Sequence, residues 1–231
     1  MRAPRVEIIV LRDNHAREGL RAGHGLALMI RTEAGSFLLD TGDSAQTWAN
    51  ADAMGIDPAE AQALVLSHGH YDHTRGLPAL LRRLGELRVI AHPLVFEPRY
   101  HEGLQGELAD IGPPMSREEL EELRARFELS DQPVEVLEGA VTTGEVPRRS
   151  GLSPEAPHLM VERDGEVRRD DFRDDLSVIV ETDGAPLLVT GCAHAGLVDI
   201  AARAEQVAGR YPGAIIGGTH LAREPEQRIA A

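Results

Sequence analysis

Three histidines and one aspartate fall within six residues of this chain: His68, His70, Asp72 and His73, in the stretch Leu-Ser-His-Gly-His-Tyr-Asp-His. Imidazole and carboxylate together suit zinc, with iron and manganese as alternatives. Side chains alternate along an extended segment, so His68, His70 and Asp72 can share one side. Gly69 leaves no side chain between the first two. His73 follows Asp72 directly and points elsewhere unless the chain turns, and Thr74 offers a cap for a helix after such a turn. The spacing then gives two adjacent metal positions, one from His68 and His70 and the other from Asp72 and His73. Two neighbouring divalent ions bring the pKa of a shared water towards neutrality and offset charge on a carbonyl or phosphoryl group under attack. Asp72 is the candidate catalytic carboxylate, as ligand and as orienting group for that water. The competing reading is a histidine-rich surface loop. Four ligand types at this spacing, directly behind an apolar run, weigh against it.

The run behind the cluster, residues 63–67, reads as a buried strand. Upstream, residues 6–11 read as a strand, and residues 26–42 as two strands joined by a glycine turn at 33–36. Asp57-Pro58-Ala59-Glu60 is a helix-start signal with a capping-box pattern, opening a short helix. Downstream, residues 76–87 have helical apolar spacing, and 88–92 form a strand. Residues 116–127 are the clearest helix, with Ser116 and Glu119 as a capping box. Short strands follow at 133–137, 158–162, 175–182 and 186–191, then a helix at 194–209 and a last strand at 213–218. Residues 98–157 are polar and loop-rich by comparison, a natural place for substrate-specific elements. Strands in pairs with helices between the later ones predict an α/β layered domain, not a regular βαβ array.

The 231 residues suffice for one sizeable core, and a single domain over 1–231 is expected. Aromatics are only 3%, so that core rests on Leu, Val, Ile and Ala. The apolar runs fall far below the ~20 residues of a membrane helix, and the N-terminal run is too short for a signal peptide. A formal charge of −14 argues against a nucleic-acid partner. One cysteine, Cys192, excludes an internal disulfide and points to a reducing, cytoplasmic setting.

The cluster matches the His-x-His-x-Asp-His signature of the metallo-β-lactamase-fold superfamily, and the resemblance extends along nearly the whole chain. Residues 24–42, 66–77, 143–148, 174–180, 191–200 and 217–221 stand in the order of one subgroup. That subgroup is similar to the metal-dependent hydrolases related to dihydropterin-ribofuranosyl-aminobenzene phosphate synthase. The resemblance implies a four-layered αββα sandwich with a dinuclear metal site at one edge of the two sheets. It assigns His194 to the first metal and His220 to the second, and sets Asp40 beneath the site to orient a ligand. Many relatives carry a metal-bridging aspartate where this chain has Cys192, which reads equally as a thiolate ligand or a small buried side chain. Asp174 or Asp175 is a weaker source of a carboxylate, since two acids before a strand are usually a solvated turn. His24 and Arg148, with Arg149 beside it, are candidate pocket residues for an anionic substrate. Relatives also run on past residues 217–221 through a helix and a further histidine-bearing segment. The chain is therefore either naturally short or a fragment lacking a C-terminal helix and strand.

These features lead to a metal-dependent hydrolase of a small, anionic ester, lactone or phosphoester, using two divalent ions with zinc favoured. Neither nucleic acid nor membrane is an expected partner. Two rivals remain: an iron-dependent oxidoreductase on the same fold, which a thiolate near the metals would suit, and a non-catalytic metal- or ligand-binding protein.

Overall fold

The computed structural model describes residues 6–221. Six strands build the first sheet: β1 (Glu7–Arg12), β2 (Ala27–Thr32), β3 (Gly35–Leu39), β4 (Ala61–Val65), β5 (Leu87–Ala91) and β8 (Ala125–Leu129), adjacent in that order. The first three run antiparallel, and β3, β4, β5 and β8 are parallel. The second sheet takes its order from β15 (Ala214–Gly217), β14 (Leu187–Thr190), β13 (Ser177–Val180), β10 (Ala140–Thr142) and β9 (Glu135–Leu137).

Period-two alternation sorts the apolar side chains into three layers of packing. Leu28, Ile30, Phe37, Leu39, Val65 and Ile90 meet Val178, Val180 and Val189 between the two sheets. The opposite face of the first sheet (Met29, Leu38, Leu64, Val89) packs on α1 (Gln46–Ala53) and α3 (Leu77–Leu84) through Trp48, Ala51, Leu80 and Leu81. The outer face of the second sheet, Ile179 and Leu188, packs on Ile200, Ala201 and Ala204 of α5 (Leu197–Ala208). The result is the expected α/β/β/α order of layers. No helix among the described residues is long and apolar enough to cross a membrane.

Several local expectations are corrected. The stretch 98–157 is loop-rich as expected, but it is not without elements. It holds β6 (Arg99–Glu102), β7 (Leu108–Asp110), α4 (Arg117–Glu122), β8, β9 and β10. With β11 (Leu159–Arg163) and β12 (Glu166–Arg169), β6 and β7 form a third sheet in the order β12-β11-β6-β7. The helix expected over 116–127 does begin with the Ser116–Glu119 capping box, but it ends after six residues. Arg124 turns the chain at φ 72°, and Ala125–Leu129 joins the free edge of β5 as β8. An available sheet edge outweighs helix propensity there. Asp57 caps only a single 3₁₀ turn, Pro58–Glu60, and Glu60 pairs with Arg31 instead of completing a capping box. Helix α1 gave no sequence signal. It is fixed by Trp48, whose ring N–H donates to the Gly76 carbonyl (2.9 Å).

Candidate metal centre

Strand β4 ends at Val65 and delivers the buried residues Leu66, Ser67 and His68 to the sheet edge. The chain does not stay extended. It turns at His70 into α2 (Tyr71–Thr74), so Asp72 and His73 lie on a short helix. Thr74 closes that helix by donating to the His70 carbonyl (3.0 Å). It does not cap the next one, which follows Gly76.

Asp40, just beyond β3, organises the cluster. It is fully buried, with φ 61°. Its carboxylate accepts the Ser67 backbone N–H (2.7 Å), the Ser67 hydroxyl (2.7 Å) and the His73 Nδ1–H (2.6 Å). Because the Ser67 hydroxyl spends its proton on Asp40, Ser67 Oγ accepts from His68 Nδ1 at 2.9 Å. One carboxylate thereby sets two rings. Both His68 and His73 donate from Nδ1 and turn Nε2 towards the site.

Two groups of potential ligand atoms result, each gathered within 4.8 Å: His68, His70 and His194, and His68, His73 and Cys192. The three-histidine group matches the expected first position. In the second group His73 sits with Cys192 (Nε2 to Sγ 3.1 Å), and Asp72 Oδ2 lies 3.4 Å from the same Nε2. Asp72 also faces the exposed His24 (3.4 Å). His220, expected at the second metal, lies beside His194 instead, with ring centroids 4.4 Å apart and the rings tilted by 44°, and it is in neither group. Arg148 does not stand free at the rim. It donates to the His194 carbonyl (2.9 Å) and lies over the Phe172 ring. Arg149 is exposed.

The residues fit a divalent cation on their own chemistry. His70 Nε2 and both ring nitrogens of His194 are buried and have no hydrogen-bond partner among the described residues. Buried polar atoms are nearly always satisfied, so a cluster of bare imidazole nitrogens marks a place for a cation. Burial lowers His68 and His194 well below the ordinary histidine range and His70 to about 3. All three are neutral at pH 7, the form that binds metal. Burial opposes charge on His73 too, but Cys192, Asp40 and Asp72 outweigh it and raise its pKa. Burial would raise Asp72, yet His73 and its neighbours hold it low, as a carboxylate. Burial pushes the Cys192 thiol up, so a nearby cation is what would draw off its proton.

Asp174 and Asp175 are not a solvated turn. Both are buried. Asp174 accepts the Gly69 N–H (2.8 Å) and Asp175 the Ala195 N–H (2.7 Å), so each braces the backbone beside a ligand histidine. Burial raises them to about 6 and about 7. His92 has a local role: its Nδ1 caps the turn Pro93–Phe96. Residues missed from sequence include Ser67, adjacent to His68 and legible in hindsight, and Phe172, which stacks flat on His194 (4.0 Å, 4°) with no local signal.

Replacing Asp40 with asparagine is expected to weaken metal binding by about 10–100-fold while leaving the fold intact. Asparagine tolerates the left-handed backbone but cannot accept all three donors. Competition titration against a zinc chelator measures this, and unchanged affinity would remove Asp40 from the account.

The sequence profile of the metallo-β-lactamase superfamily matches residues 20–198, and the chain belongs to that superfamily. Its members are mostly metal-dependent hydrolases, and the fold implies divalent metal binding. Among particular proteins, the chain is 28% identical over 218 residues to a 7,8-dihydropterin-6-methyl-4-(beta-D-ribofuranosyl)-aminobenzene-5'-phosphate synthase from Methanocaldococcus jannaschii, covering 90% of this chain and 74% of that one. It is also similar to the crystal structure of Tm1679, described as a metal-dependent hydrolase of the beta-lactamase superfamily. The TM-score is 0.81 at 26% identity, with 98% of this chain and 81% of that one covered. An N-acyl homoserine lactone lactonase shares the fold at TM-score 0.54 and 16% identity, over 98% of this chain and 96% of that one.

Proposed function

We propose that this protein hydrolyses a small, anionic ester, lactone or phosphoester, with one metal ion held by His68, His70 and His194 and a second by His73 and Cys192 with Asp72 beside them. The observation that carries the reading is the set of buried, unpartnered imidazole nitrogens on His70 and His194, converging with His68. A divalent ion bound there supplies a Lewis acid and an acidified water at neutral pH. The chain's own residues do the rest. Asp40 and Ser67 fix which nitrogen of His68 and His73 faces inward. Asp72 stays ionised beside His73 and is the carboxylate placed to bind an ion and to orient an attacking water. Phe172 covers one face of His194 and excludes water from it. His24, exposed against Asp72, is the rim residue within reach of a substrate anion.

Zinc is the favoured ion, and a cytoplasmic setting agrees with a single reduced cysteine. The relative named as a synthase points to a phosphorylated, pterin-like molecule as one substrate class. A second reading rests on Cys192: a sulfur 3.1 Å from His73 suits iron and redox chemistry.

Elemental analysis of protein purified without added metal, followed by a screen of phosphoesters and lactones, tests this. About two zinc ions per chain and turnover that chelation abolishes are the expected results. Iron in place of zinc would put the redox reading first. Metal-loaded protein inert towards every ester in the screen would sink the hydrolase.

A further inference from the structure

The third sheet lies outside the αββα sandwich, yet it sends one side chain to the metal edge. Arg99, the first residue of β6, is 1% exposed. Its guanidinium makes four hydrogen bonds and a further ion pair. Nε donates to Asp170 (2.9 Å), and one terminal nitrogen donates to the Val95 and Glu97 carbonyls (3.2 and 3.3 Å). The other donates to the Leu94 carbonyl (3.3 Å) and pairs with Asp174 (2.8 Å). A planar fork held at all three nitrogens has one orientation.

Two arms run from this guanidinium to the three-histidine group. The Asp174 oxygen that Arg99 holds also accepts the N–H of Gly69, the residue between His68 and His70. The approach is so close that a side chain at position 69 would meet Arg99 and the Val95 carbonyl at 2.3 and 2.1 Å, which is why a glycine stands there. The second arm passes through Asp170, whose other oxygen accepts the Phe172 N–H (2.7 Å) and holds Phe172 at φ 47°. A phenylalanine rarely adopts that backbone, and a strained residue persists only where its surroundings over-determine it. In this pose its ring lies flat on His194 and edge-on to His70 (5.7 Å). His194 has no ring hydrogen bond among the described residues, so ring contacts, the flat stack on Phe172 first among them, orient it.

We infer that Arg99 is a positioning residue for the three-histidine metal position, fixing His70 and His194 through Asp174 and Asp170–Phe172, while Asp40 orients His68 and His73. The inference rests on the metal reading above. Neither arm from Arg99 ends on His73 or Cys192, so disturbing Arg99 or its arms acts on the three-histidine position.

Cobalt(II), titrated into the metal-stripped full chain, separates them. A sulfur-to-cobalt charge-transfer band reports the Cys192 position, and visible bands without sulfur character report the three-histidine position. Arg99→Lys, Asp170→Asn and Phe172→Leu are each expected to weaken the three-histidine position by about 10–100-fold, as loss of an orienting partner does, and to leave the sulfur band's midpoint within about threefold. Phe172→Leu removes ring contacts and no charge, so it carries the expectation if the charged variants fold poorly. Folded variants with unchanged binding, or with both positions weakened alike, overturn the inference. Wild-type protein that takes up no cobalt would instead overturn the metal reading itself.

Discussion

Alanine at position 68 is expected to cost the protein the metal of its three-histidine position and about 1,000-fold or more in hydrolysis. His68 is the one residue within reach of both ligand groups, and its single Nε2 lone pair completes the three-histidine position, so its loss opens that position and widens the other. Removal of a partner that merely orients a ligand lowers metal affinity about 10–100-fold, and loss of a ligand itself exceeds that. Without a divalent ion no neighbouring group acidifies water to near neutrality. The ring is fully buried, so folding of the variant is checked by circular dichroism before metal is counted. Elemental analysis beside a kcat/KM measurement then decides, and a folded variant holding its full metal complement would refute the assignment of His68 as a ligand.

The second large effect is on stability. Arg99→Met leaves Asp170 and Asp174 buried without their cation. Breaking a buried ion pair from one side costs about 3–5 kcal/mol, because a desolvated charge remains. In a domain of this size that lowers the melting temperature by about 6–20 °C. Adding Asp170→Asn and Asp174→Asn to the same chain removes the stranded charges and keeps carbonyl acceptors for Phe172 and Gly69. The triple variant is expected to recover much of the loss. Calorimetry of the two proteins tests this, and a single variant melting within about 2 °C of wild type would contradict it.

What the sequence made legible follows from distance along the chain. The ligand histidines of residues 68–73 stand within six residues of one another, and Cys192 and His194 are two apart at a strand end. Local spacing and a family resemblance suffice for such groups. The supports are another matter. Asp174 meets Gly69 across 105 residues and Arg99 meets Asp170 across 71, and the acidic stretch around them reads as solvated until the third sheet is seen to cover it. The same holds for the fold. Alternation in β2, β3 and β13 is a property of the strand itself. The early end of α4 depends on the edge of β5, which a local window does not contain.

The proposed ligands come from two sheets: His68, His70 and His73 follow β4 in the first, and Cys192 and His194 follow β14 in the second. A cation held by His68 and His194 therefore joins points 126 residues apart in the chain. It acts as a reversible cross-link closing one long loop, and loop closure costs an unfolded chain more entropy as the loop lengthens. The metal is then also a staple across the mouth of the sandwich. Conditions that strip it loosen the seam between the sheets at that end first, while the side chains interlocked between them keep the rest shut.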